Sequence, residues 1–417
     1  MDWLLARQAR IEQQLAARHL TAGGLVLYDL TSSYFAGTTC PLAAFGHDRD
    51  GQEGKHQVNY GVLTAARGDP VAGSVFQGNT GDPKPLPPQV ERVREDVGIA
   101  RLVRVGDRGM ISDIQITALR ARAGVDWITA LKPGALRALV AGGHRQLGRF
   151  DERSLFELRP PDFPGERLVA CRNPELATLP ARKRQPLLEA TRKELAKVRR
   201  MVARGSLTGR DAIGVRVGKV INKYQVVKPF RLTIQEGRFD FHLDAAQVAA
   251  EAALDGLYVI RTSVPPERLD AAAAVRSYKQ LSAVERACRS LQTRDLKGRP
   301  IYHRREIRVR ARIVLCLLAY SVEWHMREAW RPLLFADEAQ AAKATRDPVA
   351  PAQRSAGALR TVQAKGLEDG TPVRSLQTLR KALGTIVRNA AGGPSPRKAR
   401  CKSSPPPAPS SSGPTSG

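Results

Sequence analysis

Asp29, Asp107 and Glu285 are the residues whose types and settings point to chemistry. Asp29 closes the apolar run Leu25-Val26-Leu27-Tyr28, and Asp107 closes Leu102-Val103-Arg104-Val105-Gly106. Both runs read as short buried strands that end in a carboxylate, followed by a turn or a helix start. Carboxylates are hard oxygen ligands. Two of them at strand ends, with a third on a helix, can hold two divalent cations around a phosphodiester.

Between Leu269 and Thr293 the spacing predicts one helix, with Val275, Tyr278, Leu281, Val284, Cys288 and Leu291 three or four residues apart. These gather on one face, while Lys279, Arg286, Ser290 and Arg294 fall on the other. Glu285 lies inside the apolar stripe, between Leu281 and Cys288, and so reads as a carboxylate turned toward the interior. An interior charge costs several kcal/mol unless it is paired or metal-bound. An ordinary i,i+4 ion pair with Arg289, worth only about 0.3–0.5 kcal/mol, is the competing explanation.

The chain has 417 residues, enough for two or three domains. Lys and Arg number 67 against 40 acidic residues, a formal net charge of +27 that suits a polyanionic partner such as DNA or RNA. The longest apolar run, Ile313 to Val322, is about half a bilayer span, so a membrane partner is not expected. The start of the chain lacks the basic and apolar regions of a secretory signal. Five scattered cysteines without a CxxC pair argue against zinc or a disulfide framework and fit reduced thiols in a cytosolic protein. His303, in Ile301-Tyr302-His303-Arg304, is the one histidine in a crowded segment, and a structural role suits it better than a catalytic one.

The elements that must position these residues follow in order. A short amphipathic helix spans 2–20, then come the strand at Leu25–Asp29 and a polar turn at Thr31-Ser32-Ser33. Strands are predicted at Gln57–Ala65 and Val71–Gln77, a helix at 86–97, a strand at Leu102–Asp107, a helix at 111–122 and a strand at Trp127–Lys132. Meandering strands followed by alternating helix and strand indicate a mixed α/β sheet. Residues 135–254 break the rhythm. Within them, 182–204 is a basic helix with nine Lys/Arg against Glu189 and Glu194. Val215–Ile221, Tyr224–Val227, Phe230–Ile234 and Phe239–Leu243 alternate like short antiparallel strands, with a hairpin turn at Glu236-Gly237-Arg238. The sheet resumes at Leu257–Thr262, the Glu285 helix follows, and another apolar helix spans 307–330. This divides the chain into an N-terminal helix (1–24), a sheet domain in two parts (25–134 and 255–337), the insertion (135–254), a helical or irregular region (338–392) and a Pro/Ser/Gly-rich tail (393–417) that reads as disordered.

Four segments, in order, resemble the DDE transposases of bacterial insertion sequences. Asp29-Leu30-Thr31-Ser32-Ser33-Tyr34-Phe35 is similar to that family's first-aspartate strand, and Phe76-Gln77-Gly78-Asn79-Thr80 to the strand-to-turn segment that follows. Gly106-Asp107-Arg108-Gly109-Met110 resembles the second-aspartate motif. Tyr278, Val284-Glu285-Arg286 and Arg299-Pro300-Ile301-Tyr302-His303 resemble the glutamate helix and its sequel. The likeness runs from the N-terminus to about residue 337. It implies a ribonuclease-H-like mixed sheet with flanking helices, interrupted by a mainly antiparallel β insertion before the glutamate. It also implies that Asp29, Asp107 and Glu285 bind two Mg²⁺ ions, with Mn²⁺ as a substitute. The implied partners are double-stranded DNA, both terminal inverted repeats and target, bound by a homodimer in the bacterial cytoplasm at the nucleoid.

DNA affinity should come from basic clusters through phosphate contacts and counterion release. One is 182–204, with Lys193, Lys197 and Arg200. The other is 276–312, with twelve Lys/Arg against three acids, among them Arg286, Arg289 and Arg299. Tyr278 shares the helix face of Glu285 and either positions DNA or packs. The family's Y-x2-R-x3-E-x6-K pattern is met at Tyr278 and Glu285, but Leu281 stands at its Arg position and Gln292 at its Lys position, on the face of Glu285. About 24 residues precede the first catalytic strand, where relatives usually carry more. Two alternatives to an active transposase therefore stand: an N-terminally shortened, catalytically silent DNA-binding remnant, and a different nuclease on the same scaffold.

Overall fold

The computed structural model describes residues 2–37, 39–47, 52, 54–81, 101–141, 155–224, 228–294, 296, 298–335, 349, 355–367 and 369–386. After two short helices, α1 (Asp2–Leu5) and α2 (Gln8–His19), comes an antiparallel meander of β1 (Leu25–Tyr34), β2 (Gln57–Ala65) and β3 (Pro70–Gln77). Two parallel steps follow. β4 (Leu102–Val105) pairs with β1, and β5 (Val125–Ala130) pairs with β4 after the helix α3 (Asp113–Arg120). Beyond α4 (Pro133–Ala141), three antiparallel strands extend the sheet: β6 (Leu155–Leu158), β7 (Arg167–Arg172) and β10 (Leu257–Thr262). The resulting eight-stranded order is β3-β2-β1-β4-β5-β10-β7-β6.

Alternation along β1 sends side chains to two different cores. Val26, Tyr28 and Leu30 join α2 (Ala16) and α3 (Ile116, Leu119) on one face. Leu27 joins the opposite face, covered by α8 (Ala271–Lys279), α9 (Leu281–Arg289) and α10 (Glu306–Ala329) through Val275, Val284, Cys288, Ile313 and Leu317. The mixed sheet with flanking helices expected from the sequence is thus present. Two expectations need correcting. β1 does not stop at Asp29, because Thr31, Ser32 and Ser33 are ladder residues paired with Tyr60, Asn59 and Val58. Buried Ser and Thr inside a paired strand mimic a turn by composition alone. The helix foreseen over Leu269–Thr293 is two helices, joined at Gln280 and closed by a π turn at Ser290–Arg294.

The insertion holds more helix than strand. α5 (Pro174–Ala203) and α6 (Arg210–Tyr224) pack as a helical hairpin with the β8 (Phe230–Gln235) and β9 (Arg238–Leu243) hairpin, around Leu195, Val198, Ile213, Val217 and Phe239. α7 (Ala245–Ala252) follows, N-capped by Asp244. Val215–Ile221, expected as a strand, lies within α6. The period-2 pair Val215/Val217 suggested a strand, but Ile213, Val217 and Val220 form the buried helical stripe and Val215 is exposed. The Glu236-Gly237 hairpin turn is formed, with Gly237 at φ 63°. The β6 and β7 strands, which also fall between 135 and 254, belong to the main sheet. The helix at 86–97, residues 225–227 of the predicted strand Tyr224–Val227 and the tail at 393–417 lie outside the described residues. Chain contacts separate Met1–Val373 from Arg374–Gly417. The first unit includes a further helix, α11 (Ala356–Ala364), and the described part of the second contains α12 (Leu376–Leu383), N-capped by Ser375.

The Phe76-Gln77-Gly78-Asn79-Thr80 segment has a clear structural role. Gly78 donates its N–H to Leu42 O, and its carbonyl accepts from Gln57 Nε2 and Asn59 Nδ2 at 2.9 and 3.1 Å. A Cβ at Gly78 would lie 2.0 Å from Gln57 O and 2.5 Å from Ala44 O, both backbone atoms that cannot swing aside. Gly78→Ala is expected to destabilise the protein by about 1–3 kcal/mol through overpacking. A denaturation midpoint indistinguishable from wild type would refute this account.

Candidate active site

The parallel pairing of β1 with β4 matches Leu25 with Val103, Val26 with Arg104 and Leu27 with Val105. Asp29 and Asp107 each stand two residues beyond the last matched pair, Asp29 still within β1 and Asp107 just past the end of β4. Leu27 and Val105 face the core under α9, and Asp29, two residues after Leu27 in a strand, faces the same way. Asp29 is half-buried and its Oδ1 accepts the Leu30 N–H at 2.9 Å.

Asp107 is exposed at the head of a tight turn. Its Oδ1 accepts from Gly109 N and Met110 N at 3.0 and 2.7 Å, while its carbonyl accepts from Ile111 N at 3.0 Å. The carboxylate therefore organises its own loop, as Asp does at turns. This turn leads into α3, whose first residue, Asp113, accepts from Arg261 Nη1 at 2.6 Å. Arg261 also donates to both oxygens of Glu166, whose side chain is fully buried, and lies over the Phe163 ring. Burial disfavours the charge on Arg261, but Glu166 and Asp113 outweigh it and hold its pKa above the usual value. A charged clamp from β10 thus anchors the helix behind the Asp107 turn.

The third carboxylate comes from α9. The thiol of Cys288 donates to Asp29, and burial first, then the Asp29 and Glu285 carboxylates, push that thiol well above its ordinary pKa. Half-buried Tyr278, on α8, is raised by burial and then by Asp107 and Glu285, with Arg108 opposing. The Cys288 thiol is within electrostatic reach of Asp29 and Glu285, and the Tyr278 hydroxyl within reach of Asp107 and Glu285, so the three acids are linked through two intermediaries. They are not, however, drawn into a ligand cage. Among the described residues no group of three His, Cys, Asp or Glu side chains stands close enough to hold a metal ion.

Glu285 itself is a correction. It is exposed, not interior, and forms the i,i+4 pair with Arg289 at 3.2 Å, with 55% of its side chain accessible. Ala287 explains the misreading. This small residue is fully buried along with Leu281, Val284 and Cys288, which rotates the true stripe so that Glu285 falls at its edge.

Gln292 is also relocated. Rather than facing DNA beside Glu285, it is buried, and its Nε2 donates to Thr31 Oγ1 and Ser32 O at 2.5 and 2.6 Å. It pins the π turn after α9 to β1, one turn of strand beyond Asp29. Arg286 is exposed and within electrostatic reach of Tyr320 on α10. Arg299 is half-buried, its N–H donating to Gln292 O at 3.3 Å, and Ile301 continues alongside β1 by bridging Phe35. His303 is held below the ordinary imidazole pKa by burial and then by Arg312 and Arg308. Lys193, Lys197 and Arg200 stand exposed on α5, in the insertion and around a different core. Cys288 and Arg108 are neighbours of the site that the sequence reading did not single out. The Arg108 position, next to Asp107, was the only available signal.

The match to the family described as "Transposase DDE domain" covers residues 24–322. The chain belongs to the DDE transposase domain family. That region contains every strand of the main sheet and all three acids. No curated protein sequence matches the chain. Among solved structures it is similar to a piggyBac transposase synaptic complex with hairpin DNA, at 10% identity and a TM-score of 0.38. That likeness covers 90% of this chain and 60% of the other, so the chain spans about three-fifths of that protein's length. No described helix is long and apolar enough to cross a membrane.

The Gln292 contacts carry a consequence. Gln292→Ala removes both donors from a buried site and leaves the Ser32 carbonyl short of a partner, an expected cost of about 1–3 kcal/mol. Arg286→Ala, on the exposed side of the same segment, should stay within about 0.5 kcal/mol of wild type. Equal denaturation midpoints for the two variants would mean that Gln292 is no staple.

Proposed function

We propose that this chain cleaves phosphodiester bonds at the ends of a transposable DNA element and joins the freed 3′-hydroxyl to target DNA, with Asp29, Asp107 and Glu285 as the catalytic acids. What supports this reading is that Asp29 and Asp107 each follow the last matched pair of β1 and β4 by two residues, with the Cys288 thiol of the Glu285 helix donating to Asp29. The donor set fits hard divalent ions. All three groups are carboxylates, and the nearest soft ligand, Cys288, is held as a neutral thiol donating to Asp29. Two Mg²⁺ ions, or Mn²⁺, would supply a lowered water pKa and neutralise charge on the scissile phosphate and leaving oxygen.

The residues divide the work by how firmly they are held. Asp29 is fixed by the ladder on both flanks, and Asp107 by the turn that it caps. Glu285 is the adjustable member. Its exposed pair with Arg289 is worth only about 0–1 kcal/mol, so turning the carboxylate toward the aspartates costs little. Exposed Arg289, Arg108 and Arg286 would then be available to face phosphate oxygens. Burial first, then Asp107 and Glu285, raise the pKa of Tyr278, so its hydroxyl would be available to donate to a phosphate oxygen. Double-stranded DNA is the partner in this reading, held by a homodimer that brings two ends together.

The silent DNA-binding remnant keeps one specific support: the motif's Lys position is filled by Gln292, which is buried against β1. Nicking of a labelled duplex carrying the element's own end separates the two. Wild type with Mg²⁺ should cut, while Glu285→Gln and Asp29→Asn should each lose at least about a hundredfold in rate, the scale seen when charge stabilisation is removed. DNA bound equally by wild type and variants, with no cutting by any of them, would establish the remnant.

A further inference from the structure

The α5–α6 hairpin presents a cationic face that nothing in the triad requires. On α5, Lys193, Lys197 and Arg200 follow i, i+4, i+7 and are exposed, opposite the buried stripe of Leu188, Leu195, Val198 and Val202. Arg204 continues the row just past the helix end. On α6, Arg216, Lys219 and Lys223 follow i, i+3, i+7, also exposed, flanking the stripe of Ile213, Val217 and Val220. The two rows adjoin. Half-buried Glu194 of α5 pairs with Lys197 at 2.6 Å and is within electrostatic reach of Lys223 and Arg216 across the hairpin.

Solvated lysines and arginines usually need no explanation. Here the spacing works against folding. Lys193/Lys197, Lys197/Arg200, Arg216/Lys219 and Lys219/Lys223 are all like-charge neighbours at i+3 or i+4, each unfavourable by about 0.2–0.5 kcal/mol. Among the described residues, Glu194 is an acid within reach of both rows. The hairpin has its own apolar core, and the Lys197–Glu194 pair and the Lys223–Tyr224 contact engage only two of the cations of this face. A polyanion would relieve the repulsion.

We propose that this face is a second, sequence-independent DNA surface that grips duplex outside the reacting phosphodiester. The α5 row from Lys193 to Arg204 rises about 16 Å at ~1.5 Å per residue, a length over which a duplex carries roughly nine phosphates at one charge per ~1.7 Å. The contacts are ammonium and guanidinium groups on phosphate oxygens and carry no base readout. This inference rests on the transposase reading only for the identity of the polyanion.

The test is DNA binding by the full chain in EDTA, measured by fluorescence anisotropy across a salt series on a 40-base-pair duplex of arbitrary sequence. Lys193→Gln, Arg200→Gln, Arg216→Gln and Lys223→Gln are combined in one variant. A control variant carries Arg10→Gln, Arg18→Gln, Arg101→Gln and Lys365→Gln, which removes the same charge from exposed positions elsewhere. The hairpin variant should flatten the slope of log K against log salt by about three to four, since each lost phosphate contact contributes ~0.9. The control should leave the slope within about one. Equal slopes for the two variants would overturn the proposal, as would an unchanged slope in the hairpin variant. A hairpin effect as large on heparin as on duplex, with no dependence on duplex length, would also overturn it in favour of plain ion exchange. Because metal is absent, the result does not depend on the triad. Binding in EDTA and metal-dependent nicking are read separately, so failed cleavage and a failed DNA face remain distinguishable.

Discussion

Three residues of parallel pairing, Leu25–Leu27 against Val103–Val105, are the constraint on which the site depends. Parallel strands carry their side chains in step, so Asp29 and Asp107 each follow the last matched pair by two residues, Asp29 on the face where α9 lies. A slip of one residue would turn Asp29 into the opposite core, among Val26, Tyr28 and Leu30, where a carboxylate would have to be neutralised or paired. The register is guarded from both sides. β2 pairs with β1 along nine residues, from Val26 to Tyr34, and β5 pairs with β4 in parallel from Leu102 to Val105. The rest of the fold can be seen as reinforcement of this alignment: Gln292 ties the helix layer to Thr31 and Ser32, and Arg261 clamps the start of α3 behind the Asp107 turn.

Three carboxylates near Cys288 and Tyr278 repel one another, and they are held in two ways. Each aspartate receives backbone N–H groups, Leu30 for Asp29 and Gly109 with Met110 for Asp107, which fix the direction of its carboxylate. Glu285 instead stays out in water with Arg289, where solvent screens the repulsion. The two aspartates are thus oriented by backbone groups, and Glu285 by an exposed ion pair on its own helix. The neutral Cys288 thiol against Asp29 fits the same logic, because a thiolate there would add a fourth negative charge.

Much of this was legible in the sequence, for reasons that differ by element. Gln57–Ala65 and Leu257–Thr262 match β2 and β10 residue for residue, since both are bounded by clear breaks and buried along most of their length. Asp107 stands just past the end of β4, where the reading of Leu102–Asp107 as a strand that ends in a carboxylate puts it. Asp29 does not close its strand as that reading had it. Its strand continues through Thr31-Ser32-Ser33, polar residues buried by tertiary contacts that no local pattern reveals. Glu285 was assigned to the interior because large apolar residues define the perceived stripe, whereas the buried alanine at 287 sets the actual one. Gln292 shows the same limit: a helical wheel places it beside Glu285, but the π turn rotates it inward to Thr31.

The insertion carries this reasoning furthest. Its strand expectation failed at Val215–Ile221 because valines two apart satisfy period 2 locally while Ile213, Val217 and Val220 satisfy period 3.6 over a longer window. The longer pattern prevails because only it buries a continuous row against α5. Once the segment is a helix, its charges move as well. On a strand, Arg216 and Lys219 would point to opposite faces, three residues apart. On a helix, Arg216, Lys219 and Lys223 align on one side, next to the row from Lys193 to Arg200. The same substitution of helix for strand that corrects the fold therefore turns scattered cations into a surface, and the net charge of +27 acquires a location as well as a sign.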